Sequence, residues 1–238
     1  MPERFSASVA GKHMSCHASA DLDAAILGWT QPDEDRAADN AANRGTSMHD
    51  MFARIMELPK NDMRQMARAI DYVTALRETR RFSVLVEHSV KALWLMSAPD
   101  TTVDLVFYTA DEIHVLDLKT GKVPVEVVGN EQLLYYGVSF AGLAPKAKGV
   151  TLHIVQPWAD NMESWFVDTI GLKQFMADAQ AAEAAILGGD LTFGPSHHCM
   201  FCPANPHSRS AEKGSPSCPA MLRLLYPPVV NEDEILGL

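Results

Sequence analysis

Apolar positions dominate two short stretches, 101–109 and 113–119, which are rich in β-branched and aromatic side chains and joined by a polar turn. The pattern predicts a hairpin. A two-residue turn at Ala110–Asp111 sets the register so that Asp104 stands directly opposite Asp117; a slip of one residue would put the two carboxylates on opposite faces. Side chains two apart on a strand share a face, so Asp117 and Lys119 point one way while Leu118 points into the core. Further strands are predicted over 82–90, 92–96, 147–156 and 165–169. Helical spacing marks 21–29 (Leu22, Ala25, Ile26, Trp29), 37–58 (apolar face Met48, Phe52, Ile55, Met56), 63–80, 130–141 and the alanine-rich 172–187. Pro59 ends the second of these helices, and Asn61 or Asp62 is placed to cap the third. Residues 1–18 and the Gly/Pro-punctuated tail from Gly188 read as irregular. Helices, then strands, then helices again predict an α/β fold: a central mixed sheet flanked by helices, with N- and C-terminal appendages.

Composition narrows the class. A chain of 238 residues, 47% apolar and 21% charged, can bury one substantial core. No apolar run reaches membrane-span length, and the N-terminus lacks a basic-then-apolar leader, which points to the cytoplasm and away from a membrane. The formal net charge of −10 argues against a protein that coats nucleic acid indiscriminately. Local phosphate contacts are still available from Arg77, Arg80, Arg81, Lys119, Lys122, Lys146 and Lys148, although any one of them alone reads more simply as part of a solvated face.

The hairpin carries the chemistry. Two carboxylates side by side with an ammonium next to them make little sense as packing, but they suit a divalent cation, whose charge offsets their repulsion and whose hard character favours oxygen ligands. Taken singly, Asp117 and Lys119 could be a half-exposed ion pair and His49 an ordinary helix histidine. Their occurrence together, in order, changes that reading. Asp104 followed by Asp117-Leu118-Lys119 resembles the signature of the PD-(D/E)XK nuclease superfamily. Gly45-Thr46-Ser47-Met48-His49 upstream resembles the G-T-x-x-H motif of its RecB-like branch, Thr120-Gly121 continues the D-x-K-T-G run, and Gln132-Leu133-Leu134-Tyr135-Tyr136 resembles the Q-x-x-x-Y motif. The similarity spans residues 45–136.

That resemblance implies a restriction-endonuclease-like core and a Mg²⁺- or Mn²⁺-dependent deoxyribonuclease. Asp104 and Asp117 would bind the metal, joined by the Leu118 carbonyl and by His49, whose nitrogen makes Mn²⁺ at least as suitable as Mg²⁺. Lys119 would orient or deprotonate the attacking water and stabilise developing negative charge. Gln132 and Tyr136, one turn apart on one helix face, would contact DNA or support the site, a spacing that a plain amphipathic helix also shows. Glu87 stands in a strand where family members often carry an acid, and reads equally as a support of the site or as structural. Gly45, a glycine within a helix, allows close approach of the catalytic sheet or of a DNA backbone.

The four cysteines form one constellation: Cys16 near the N-terminus, then Cys199-x-x-Cys202 and Cys218. In a cytosolic chain, paired thiols are more often metal ligands than disulfides. One cysteine upstream and three downstream resembles the iron–sulfur RecB-type nucleases, AddB-like and CRISPR-associated, which implies a [4Fe–4S] cluster stapling residues 1–30 to residues 188–238 around a nuclease core at 37–187. The fifteen residues between Cys202 and Cys218 depart from that family's closer spacing and admit a Zn²⁺ alternative, Cys₄ or with His198 or His207 substituting.

The expected function is thus a DNA exonuclease acting on ends or single strands in recombination, repair or CRISPR adaptation, in a prokaryotic or phage-infected cell. A helicase or recombinase could act in trans, since no Walker A loop is present, and oligomers are possible. The alternatives are a structure-selective endonuclease, or a DNA-end-binding protein without turnover.

Overall fold

A computed structural model describes residues 5–20, 60–205, 207 and 218–220. The chain forms two compact units, Met1–Gly11 with Pro32–Glu183, and Lys12–Gln31 with Ala184–Leu238. The predicted helices at 21–29 and 37–58, with Gly45 and His49, lie outside the described residues.

In chain order the main elements are α1 (Ala10–Ser15), α2 (Lys60–Glu78), β1 (Ser83–Lys91), β2 (Asp100–Tyr108), β3 (Ile113–Leu118), α3 (Glu131–Phe140), β4 (Gly149–Gln156), β5 (Asn161–Asp168) and α4 (Thr169–Leu187). The strands form one five-stranded sheet in the order β1-β2-β3-β4-β5. Every neighbouring pair is antiparallel except β3 and β4, which are parallel. Parallel neighbours need a crossover connection, and this one carries α3. The fold is therefore α/β with a mixed sheet and helices on both faces.

Alternation along the strands decides what each face receives. On one face, Ala69 of α2 packs with Phe107, Leu116 and Val155, and Tyr72, Val73 and Leu76 extend the contact. Positions one residue out of step, Val150 and Leu152, turn to the other face and meet α3 and α4. The contact there is close at Gly137, where a Cβ would lie 3.3 Å from a Leu152 methyl and 3.1 Å from one of Leu172. None of the described helices is long and apolar enough to cross a membrane.

Four details differ from the pattern-based expectation. Residues 92–96 form turns, not a strand. The reason lies far away in sequence: the buried carboxylate of Glu183 accepts hydrogen bonds from the backbone N–H of Met96 (2.7 Å) and Ser97 (2.9 Å) and from the Ser97 hydroxyl. Those donors are lost to a ladder, and Ala98 turns the chain with φ of 41°. β5 starts at Asn161, not 165, because the ladder with β4 runs from Gln156↔Asn161 to Gly149↔Asp168. Its outer side faces solvent, so the polar residues there give no apolar signal. Residues 10–15 are helical, and α2 already begins at Lys60, which puts Asn61 and Asp62 inside its first turn instead of ahead of it.

A buried polar chain crosses the α2-facing side of the sheet. The Tyr72 hydroxyl lies 2.9 Å from His153 Nδ1, His153 Nε2 lies 3.0 Å from His114 Nδ1, and His114 Nε2 lies 2.9 Å from a Glu112 carboxylate oxygen. One set of neutral tautomers satisfies every link, with each proton donated toward Glu112. Burial, and then the neighbouring His114, hold the His153 imidazole far below its usual range, at about 3. An unfolded His153 takes up its proton near pH 6.5, which the folded state resists until about pH 3. The stability this group permits is therefore complete above pH 6.5 and is lost as pH falls through that window. Urea unfolding at pH 7 and pH 4.5 should show a larger loss in the wild type than in His153→Gln, by about 2 kcal/mol for one proton. Equal losses in the two proteins would contradict the assignment.

Candidate functional site

The acid-bearing hairpin has the register that its turn dictates. Leu105 pairs with Leu116, Val106 with Val115, Phe107 with His114 and Tyr108 with Ile113. Thr109 N–H then donates to the Glu112 carbonyl at 2.8 Å, leaving Ala110 and Asp111 as the two turn residues. The Thr109 hydroxyl donates to the Asp111 carboxylate at 2.8 Å, and Arg80 reaches both Asp111 and Glu112. Continued one step beyond Leu105 and Leu116, this register sets Asp104 opposite Asp117.

Strand β1 adds a third acid. Val86 pairs with Leu105 and His88 with Val103, so Glu87 stands opposite Asp104. Glu87, Asp104 and Asp117 thus form a row across three strands. Glu87 holds a left-handed φ of 45°, which a residue with a Cβ adopts only when its surroundings impose it; such positions concentrate at functional sites. Glu87 and Asp104 also line an apolar cavity with Ala69, Val73 and Leu116.

The electrostatics centre on Asp117. Its side chain is buried, with Oδ2 in a charge-assisted contact 2.8 Å from Lys119 Nζ. Burial drives its carboxyl up to about 6; the Lys119 ammonium opposes that rise and the charge of Asp104 adds to it. Asp104 turns toward the hairpin, where Oδ2 accepts the Leu118 backbone N–H at 2.6 Å. Leu118 itself packs into the α2-side core.

Helix α3 supplies the remaining side chains. It starts at Asn130, whose Oδ1 accepts the Leu133 N–H at 3.0 Å, a side-chain cap that fixes where the helix begins. Lys119 Nζ donates to Gln132 Oε1 at 2.7 Å, and Gln132 Nε2 donates to the Tyr136 hydroxyl at 3.0 Å. A lysine can only donate, so the amide is oriented without ambiguity. Burial raises the Tyr136 hydroxyl above its ordinary value, and the charges of Asp117, Asp104 and Glu87 push the same way. The tyrosine is thus a neutral group facing the row of acids. Asp104, Asp117, Lys119, Gln132 and Tyr136 converge on one patch at the end of β3, with Glu87 at its edge.

This patch suits a divalent cation. It offers two adjacent carboxylates, one of them buried, and more negative charge than one ammonium balances.

The second unit gathers the thiols. Cys16, Cys199, Cys202 and Cys218 form no disulfide, and all four line one cavity, together with Lys12, Ser196, His198 and Asn205. Local backbone turns place them. Cys202 N–H donates to the Cys199 carbonyl (3.3 Å), Cys218 N–H to the Ala204 carbonyl (2.7 Å), and Ser196 N–H to Cys199 Sγ (3.4 Å). The N-terminal segment is tied in by Ala18 N–H donating to the Thr192 carbonyl (3.1 Å) and by His17 beside Asp190 at 2.7 Å. Gly194 must be glycine here, because a Cβ would collide with the Ser15 carbonyl at 1.6 Å. Among the alternative ligands, His198 lines the cavity, while His207 is exposed and is not among its lining residues.

The sequence pattern did not single out Gln156, a fully buried amide next to this site. A glutamine following the apolar pair Ile154-Val155 at the end of the predicted strand was the available signal.

Among solved structures, the crystal structure of SSO0001 overlaps 71% of this chain and 81% of that one at 8% identity, with a TM-score of 0.34, too loose to specify a function. The family match is firmer. It covers residues 56–218, through the acid-bearing hairpin, helix α3 and three of the four cysteines. The chain therefore belongs to the family described as "Protein of unknown function (DUF2800)".

Proposed function

We propose that this chain is a metal-dependent deoxyribonuclease of the PD-(D/E)XK superfamily, RecB-like branch, acting on DNA ends or single strands. The observation that carries the reading is the convergence of Asp104, Asp117 and Lys119 on one patch of the hairpin, with the buried Asp117 carboxylate 2.8 Å from the Lys119 ammonium. The row of acids, the Gln132–Tyr136 pair and the motif order support it.

Asp104 and Asp117 would hold the ion, with the Leu118 carbonyl and His49 as the further ligands that the family resemblance supplies. A divalent cation there neutralises charge on the phosphoryl group and makes water more acidic. The chain's own residues do the rest. The Lys119 ammonium, held between Asp117 and Gln132, has a fixed position from which to orient the attacking water and oppose developing negative charge. Gln132 keeps that ammonium from swinging into solvent. Tyr136, kept neutral by the surrounding carboxylates, gives Gln132 a fixed second partner.

The four thiols lining one cavity support a [4Fe–4S] cluster, with Zn²⁺ as the alternative. Either would be structural, joining residues far apart in sequence through one closed site.

Digestion of end-labelled linear DNA with Mn²⁺ or Mg²⁺ should give cleavage that a chelator abolishes. Loss of circular DNA as well would favour the endonuclease alternative. Binding of labelled DNA with no metal-dependent degradation would replace catalysis by end binding. Lys119→Ala and Asp117→Asn should each lower the cleavage rate at least about 100-fold with the fold intact, in the range of lost general acid–base and electrostatic catalysis. Full activity in either variant ends the assignment. Anaerobically purified protein should be brown and absorb at roughly 400 nm, as thiolate-bound iron does, and Cys199→Ser should lose that band. A colourless preparation with stoichiometric zinc would decide for the alternative.

A further inference from the structure

We propose that Gln156, assisted by Asn161, is a positioning residue for Lys119, holding the loop that joins Lys119 to its partner Gln132. The inference rests on the reading of Lys119 given above, but its evidence is separate.

β3 ends at Leu118, and the Lys119 N–H makes one more ladder-like bond, to the Val155 carbonyl at 3.0 Å. Beyond it the chain leaves the sheet. The next residue on β4 is Gln156, whose side chain takes over where the ladder stops. Its Nε2 donates to the carbonyls of Gly121 (2.9 Å) and Val123 (2.8 Å), and its Oε1 accepts the Val125 N–H (2.9 Å). Asn161 Nδ2 donates to the same Oε1 (3.0 Å) and to the Val125 carbonyl (2.8 Å). All four hydrogen-bonding positions of the Gln156 amide are used, and the side chain is 0% exposed.

A buried amide is costly unless every position is satisfied, and a solvent-facing turn does not require one. Residues 121–124 are themselves exposed. What the two amides hold fixed is the stretch between the partners of one hydrogen bond, Lys119 Nζ to Gln132 Oε1. On one side lies Lys119. On the other, the Asn130 side chain donates to the Glu126 carbonyl and caps α3, two residues before Gln132. Holding the loop fixes both ends of that bond and so the direction in which the ammonium points. Prepaid orientation of a catalytic group raises turnover more than it raises substrate affinity.

The test uses the full chain, with kinetics in Mn²⁺ or Mg²⁺ and NMR spectra in diamagnetic Mg²⁺. Gln156→Leu removes all four bonds at similar volume; Gln156→Glu keeps the acceptors and loses both donors. The expected result is a fall in kcat of about tenfold or more for Gln156→Leu, a smaller fall for Gln156→Glu, and a KM for single-stranded DNA within about twofold of wild type. In ¹⁵Nζ-lysine NMR spectra, identified with Lys119→Arg, the wild-type Lys119 signal should be shielded from solvent exchange and that shielding should be lost in Gln156→Leu. An unchanged Lys119 signal in Gln156→Leu overturns the proposal even if the wild type degrades no DNA, so the two readings fail separately. An equal fall in kcat in Leu152→Ala, a core variant tested at matched loss of melting temperature, would overturn it as well by reducing Gln156 to general stability.

Discussion

Everything at the candidate site depends on the burial of one charge. Asp117 stands on a central strand where solvent cannot reach it, across the hairpin from Asp104 and 2.8 Å from Lys119. A buried carboxylate with a like charge beside it drifts toward its protonated form, and only the lysine resists this. A site that is short of positive charge in the absence of an ion favours a divalent cation. The same imbalance explains why the neighbouring groups are so well tethered. Asp104 is tied to the Leu118 N–H, Lys119 to Gln132, and Gln132 to Tyr136.

The polar networks of the sheet are organised around this constraint. On the α3 side, the acids, Lys119 and the α3 residues form the candidate site, and the Gln156–Asn161 pair stiffens the loop leaving it. On the α2 side, Tyr72, His153, His114 and Glu112 form a separate chain with no charge at its centre. The two are kept apart by the alternation of β3 itself: His114 and Leu116 face α2, while Val115 and Asp117 face the other way. Glu183 plays a third part, since three donors of the 96–97 turn converge on its carboxylate and shape the connection between β1 and β2.

In the second unit the logic is ligand supply instead of charge balance. Short turns around Cys199 and Cys202 and the Ala204–Cys218 backbone bond present sulfurs to one cavity, while His17–Asp190 and Ala18–Thr192 bring in the segment that carries Cys16. Among the described residues, Cys202 and Ala220 pack against the buried Ala204 and Cys218.

The hairpin, its register, helix α3, and the shared face of Asp117 and Lys119 were determined by the sequence alone. Each depends on interactions within a few residues: a two-residue turn admits one register, and a capped amphipathic helix has one start. Tertiary structure decided the rest. Glu87 came opposite Asp104 because the β1–β2 register is not set by a tight turn. Residues 92–96, apolar enough for a strand, became turns because Glu183 takes the Met96 and Ser97 backbone donors while the Leu93 and Leu95 N–H groups close local turns. His114 met His153 only through the parallel pairing of β3 with β4, and Gln156 found three of its four partners in the loop at Gly121, Val123 and Val125, more than thirty residues earlier in the chain. Long-range hydrogen bonds and strand order leave no local period behind them, and so neither could be read in advance.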